Sequence, residues 1–187
     1  MLEGKRINLR LAEKEDVPLL AQWLSDVEFA GDYQHFPEQI SKAQLEKRIL
    51  EQKLYQTKWI DFIIEKKDGT KIEWATHYIS APNFGWIEIG YAIVPNERNK
   101  GYGTEAIQIL VDYLFLTREI ARIQAVINKE DVASRRVLEK AQFKKEGILR
   151  KALWDSKGKL ADGYIYSILR EEWKEPRILA KASQAKE

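Results

Sequence analysis

The chain has 187 residues, 44% of them hydrophobic and 11% aromatic, enough to bury one substantial core but short for two. Its 31 basic and 29 acidic residues leave a mixed surface, so bulk nucleic-acid binding is not expected. With no cysteine, and imidazole only at His35 and His77, disulfides, thiolate metal sites and a cysteine acyl-enzyme are excluded, and no metal is expected.

The N-terminus, MLEGKRINLRLAEKED, is too charged for a signal peptide, and no apolar run approaches the length of a membrane span. The expectation is a cytoplasmic protein without membrane contact. Ile7, Leu9 and Leu11 alternate on one face of a first strand, residues 6–11. Asp16 as N-cap and Pro18 in the first turn open a helix whose apolar stripe is Leu20, Trp23 and Leu24. Ser41 and Gln44 make a capping box, and Ile40 and Leu45 its hydrophobic staple, for a helix over 42–54. Strands over 59–65 and 71–79 are joined by the turn signal Asp68-Gly69. The second strand places Ile72, Trp74, Thr76 and Tyr78 on one face and Glu73, Ala75 and His77 on the other.

A strand over 86–94 leads into a glycine loop and then a helix with Ile107, Leu110, Val111 and Leu114 inward and Glu105, Gln108 and Asp112 on the wet side. A strand over 121–127 and a helix over 132–140 supply a parallel strand–helix–strand crossover in a sheet otherwise built from hairpins. Strands near 143–154 and 164–169 flank a turn at 156–159. The fold class is therefore α+β, a mixed and mostly antiparallel sheet flanked by helices. Residues 1–173 are expected to form one domain, and 174–187 a tail or peripheral helix.

The segment IEIGYAIVPNERNKGYGTEA, residues 87–106, carries the chemistry. Arg98, Asn99, Lys100, Gly101, Tyr102, Gly103 and Thr104 lie where a helix start presents unpaired N–H groups, and glycine lets a phosphate approach the backbone. GYGTEA also fits the dinucleotide fingerprint G-x-G-x-x-A. That reading is disfavoured: PNERNK separates the strand from Gly101, and Asn128 stands where an acidic ribose ligand is expected.

Arg98-x-x-Gly101-x-Gly103 resembles the pyrophosphate loop of the GNAT superfamily of acyl-CoA-dependent N-acyltransferases. NKEDVASRRVLEKAQF, residues 128–143, is similar to the N-x-x-N-x-x-S segment of the ribosomal-protein-alanine N-acetyltransferase branch, with Asp131 for the second asparagine and Gln142 for a glycine. EIGY (88–91), EGILR (146–150) and DGYIYSILREEW (162–173) extend the resemblance over most of the chain.

The resemblance implies acetyl-CoA as cosubstrate and an amine acceptor, a protein N-terminus or a small molecule. The pyrophosphate would sit on residues 98–104, the pantetheine on Ile93, and the acetyl carbonyl on the Tyr91 N–H, with Asn128 facing the thioester. Ser134 would protonate the departing thiolate, since Leu138 replaces the tyrosine many relatives use. Glu88 is the first candidate base, with Asp155 and Asp162 as alternatives, because Leu153 stands where relatives carry a glutamate. Phe29, Tyr33, His35 and Phe36, with Trp154 opposite, would line the acceptor pocket, although such rings equally serve a core. His77 reads as structural. A noncatalytic acyl-CoA-binding or sensing domain is the alternative.

Overall fold

The computed structural model describes residues 1–25, 40–51, 59–79, 85–155 and 157–179. Among the described residues eight strands form one sheet: β1 (Leu2–Glu3), β2 (Ile7–Leu11), β3 (Trp59–Lys66), β4 (Lys71–Tyr78), β5 (Trp86–Tyr91), β6 (Arg122–Asn128), β7 (Lys144–Trp154) and β8 (Leu160–Leu169). Their order is β1-β2-β3-β4-β5-β6-β8-β7, and of the paired neighbours β5 and β6 alone run parallel. The parallel pair is joined through α3 (Tyr102–Thr117), the helix of the glycine loop. The crossover expected through α4 (Val132–Lys140) does not yield adjacent strands, because β8 returns between β6 and β7.

Side-chain alternation divides the core between the sheet's two faces. Ile7, Leu9, Phe62, Ile64, Ile87 and Ile89 join Ile107, Leu110 and Leu114 of α3 and Leu138 of α4. On the other face Ile63 meets Leu20 and Trp23 of α1 (Val17–Ser25) and Leu45 and Ile49 of α2 (Lys42–Leu50). The capping box of α2 forms as read: Ser41 Oγ accepts from Gln44 N–H at 3.2 Å and Gln44 Oε1 from Ser41 N–H at 2.9 Å. Residues 52–58, and with them the expected end of that helix, lie outside the described residues.

Three expectations are corrected. Asp16 does not cap α1; it ends a single 3-10 turn, Lys14–Asp16, and accepts from Glu13 N–H at 2.9 Å, from Arg10 and from Lys71 Nζ at 2.6 Å. Burial opposes its ionisation, but those cations outweigh it and hold the carboxyl near 2. In β4 the alternation breaks at Glu73, whose φ is 138°, where pairing jumps from Ile64↔Glu73 to Glu65↔Lys71 and Ile72 turns into the α3-side core. Glu105 and Asp112 of α3 are buried, at 5% and 0% exposure, not on a wet side. Asp112 accepts from Trp173 Nε1 at 2.9 Å and from the N–H groups of Arg177, Ile178 and Leu179 at 2.9, 2.7 and 3.0 Å. A helix-face pattern could not reveal this, since the donors come from the end of the chain.

Candidate active site

A notch opens where β5 and β6 part. Their register ends at Glu88↔Gln124, while β6 continues along β8 to Asn128↔Gly163. Ala92 N–H bonds Trp74 O at 3.0 Å and Val94 N–H bonds Ile72 O at 3.1 Å. Alternation therefore turns the backbone of Tyr91 and Ile93 away from β4, into the notch.

Beyond β5 the chain makes a 3-10 turn, Pro95–Glu97, and then needs two left-handed residues, Asn99 at φ 61° and Gly101 at φ 86°, to aim α3 back across the notch. The first amides of α3, at Tyr102, Gly103 and Thr104, lie in the first turn of the helix, where backbone N–H groups have no intrahelical acceptor. Arg98 Nε donates to Ile93 O at 2.8 Å, and Lys100 faces outward to Glu97 at 3.0 Å.

Arg6 was not legible as part of this loop. Its Nη1 donates to Lys100 O at 2.7 Å, its Nε to Glu105 Oε2 at 2.9 Å, and its backbone N–H to Glu105 Oε1 at 2.7 Å. Burial raises the Glu105 pKa, but the Arg6 bonds outweigh it and keep that carboxyl below its ordinary range. Glu105, acidic in the first turn of α3, was the available signal that a compensating cation lies nearby.

Packing restricts position 103 to glycine: a β-carbon there would lie 2.7 Å from Cε2 of the Tyr91 ring. The ring tucks beneath α3, where its phenol feels Ser134, Asp131 and Arg98. Burial pushes the phenol up to about 12, Ser134 and Arg98 opposing and Asp131 adding to the rise. Asp131, the departure from asparagine, is the N-cap of α4 and accepts from Ser134 N–H at 2.9 Å. Leu138 is a core residue at 1% exposure. Asn128 is buried, and its Oδ1 accepts from Glu130 N–H at 2.9 Å, so its oxygen closes the turn before α4.

Glu88 lies on the opposite face of the sheet, among α1-side and α2-side residues. It accepts from Tyr78 Oη at 2.7 Å and from Gln124 Nε2 at 3.1 Å. Tyr78 stacks on Trp59 with centroids 4.3 Å apart. Neither Tyr78 nor Gln124 was singled out from sequence, because the contact depends on strand register.

The remaining candidates have partners of their own. Asp155 accepts from Lys157 and Lys159 N–H at 2.9 and 2.8 Å and shapes the β7–β8 turn, while Asp162 Oδ1 accepts from Lys151 N–H at 3.0 Å. Leu153 packs 3.1 Å from the β-carbon position of Gly163. Trp154 is 57% exposed at the end of edge strand β7. Phe29, Tyr33, His35 and Phe36 lie outside the described residues. His77 is buried between Phe62 and Tyr113, at 6.0 and 6.1 Å, and desolvation holds its imidazole down at about 3, neutral at physiological pH.

Residues 6–144 match the family described as acetyltransferase (GNAT) domain. The chain is 33% identical over 175 residues to the Bacillus licheniformis protein named uncharacterized N-acetyltransferase p20, covering 92% of this chain and 97% of that one. It shares its fold with the ribosomal-protein-S5-alanine acetyltransferase of Vibrio fischeri, at TM-score 0.79 and 20% identity over 92% of this chain and 98% of the other. The spermidine N-acetyltransferase of Vibrio cholerae, solved with CoA and spermine, superposes with TM-score 0.79 at 18% identity, over 91% and 99%.

Proposed function

The chain belongs to the GNAT acetyltransferase family, and from that premise we propose that it moves the acetyl group of acetyl-CoA onto a primary amine by direct attack. The acceptor is a protein N-terminus or a small-molecule amine. The parting of β5 and β6 after Glu88↔Gln124 supports this reading, because it turns the Tyr91 and Ile93 backbone into a notch beside Glu88.

The α3 amides hold the pyrophosphate, helped by the Thr104 hydroxyl, with Arg98, Asn99, Lys100 and Tyr102 shaping the loop. The Ile93 N–H pairs with pantetheine, and the Tyr91 N–H stabilises the oxyanion that develops on the acetyl carbonyl. An ammonium has no lone pair, so Glu88 takes the amine proton through a water. The C–N bond then forms and the now cationic nitrogen releases its second proton to solvent; the C–S bond breaks with its electron pair going to sulfur, and Ser134 gives sulfur its proton, recovering one from solvent. No acyl-enzyme is formed.

The test is release of free thiol from acetyl-CoA against a panel of amines and peptides with different N-terminal residues. At least one acceptor is expected to yield acetylated amine and thiol in equal amounts. Acetyl-CoA binding without release on any acceptor would favour a sensing domain.

A further inference from the structure

Arg122 and Gln124 are adjacent inward positions on one face of β6, and the acetyl-transfer chemistry above leaves both without a task. Arg122 Nε and Nη2 lie 3.3 and 3.2 Å from Gln124 Oε1. Arg122 is itself clamped across the sheet by Glu146, at 2.7 Å from Nη1 and 2.5 Å from Nη2, and Ser167 Oγ donates to the same carboxylate at 2.6 Å. On the same face Arg48 and Asp61 pair with one another at 3.0 Å.

A guanidinium has only donors, so it accepts one orientation of a neighbouring amide: oxygen toward Arg122, NH₂ away from it. The NH₂ end then faces Glu88 Oε2 at 3.1 Å, while Tyr78 Oη donates to Glu88 Oε1 at 2.7 Å. A flipped amide would set NH₂ against guanidinium and carbonyl against carboxylate, two repulsions at once. Each Glu88 oxygen thus carries one fixed donor and keeps a free lone-pair direction.

We infer that Gln124 is a positioning residue for Glu88, with its amide locked by the Arg122–Glu146 pair, so that the carboxylate meets the amine-bound water in one fixed orientation. This rests on Glu88 acting as the base. Removing a donor to a carboxylate loosens the orientation without touching the coenzyme loop on the other face. The effect belongs in kcat and its pH profile, not in acetyl-CoA affinity.

The experiment compares Gln124→Leu, Gln124→Glu, Arg122→Gln and Glu88→Gln for kcat, acetyl-CoA KM and pH profile, using a strongly basic amine and checking each variant's melting temperature. Gln124→Leu should lower kcat about tenfold with KM unchanged, the size of one lost hydrogen bond to a charged group. Gln124→Glu should move the acidic limb to higher pH, because two facing carboxylates resist joint ionisation. Arg122→Gln, which frees the amide to flip, should reproduce part of the kcat loss and carries the same test if a Gln124 variant does not fold. Wild-type kcat and profile in the folded Gln124 and Arg122 variants, beside a slowed Glu88→Gln, would overturn the positioning role and leave the base in place. A Glu88→Gln enzyme with unchanged rate and profile would overturn both.

Discussion

The Tyr91 ring fills the space that a β-carbon on Gly103 would need, its Cε2 only 2.7 Å from that position. The second glycine of the loop therefore couples the start of α3 to the Tyr91 ring, whose phenol feels Ser134. Gly103→Ala should cost about 1–3 kcal/mol of stability through overpacking and lower kcat, because the ring must move. Denaturant melts and steady-state rates check both. A stable variant with wild-type kcat would show that Tyr91 has room to yield.

Ser134→Ala should reduce turnover by roughly 10²–10⁴-fold, the usual contribution of a general acid or base, with acetyl-CoA affinity retained. Tyr91→Phe removes only the hydroxyl near Ser134, and should cost about three- to tenfold in kcat. Single-turnover thiol release reads both. Loss of affinity with full turnover would make Ser134 a coenzyme contact.

Glu73 is buried at 1% exposure, and desolvation pushes its carboxyl up to about 9 against the opposing pull of Arg98. The folded state then holds a proton that the unfolded chain releases near the ordinary carboxylate value. The stability it contributes is fully present below that value and is lost as pH rises through about 9. Glu73→Gln, which mimics the protonated form, should gain in melting temperature over wild type progressively from about pH 5 to about pH 9, by about 2–4 °C for each kcal/mol. Parallel curves across that range would contradict the assignment.

Asp112 ties the chain's end to α3 through Trp173 Nε1 and the amides of Arg177, Ile178 and Leu179. Asp112→Ala leaves those donors without their acceptor and should destabilise the protein by about 2–4 kcal/mol, the scale of charge-assisted bonds lost from a buried site. Hydrogen exchange should quicken first at residues 177–179. Unchanged exchange there would separate the segment from Asp112.

What could be read beforehand was whatever a local signal encodes. The capping box at Ser41 and Gln44 and the turn at Asp68-Gly69 concern neighbours in sequence, and both are found. The glycine loop fell between a strand and a helix for the same reason. What escaped depends on distant partners: Arg6 on Glu105, Trp173 on Asp112, Gln124 on Glu88. Glu105 and Asp112 were read as wet because charge usually marks solvent, a rule that fails where a buried carboxylate is fully hydrogen-bonded. That Gly103 also lies against the Tyr91 ring is a packing relationship that no spacing rule contains.

Initial rates with both acetyl-CoA and amine varied test the central claim, direct transfer within the notch, most directly. Double-reciprocal plots should intersect, and the intact mass of enzyme incubated with acetyl-CoA alone should show no acetyl adduct. Parallel lines together with an acetylated protein would show a covalent intermediate and contradict transfer from coenzyme to amine in one step between Glu88 and Ser134.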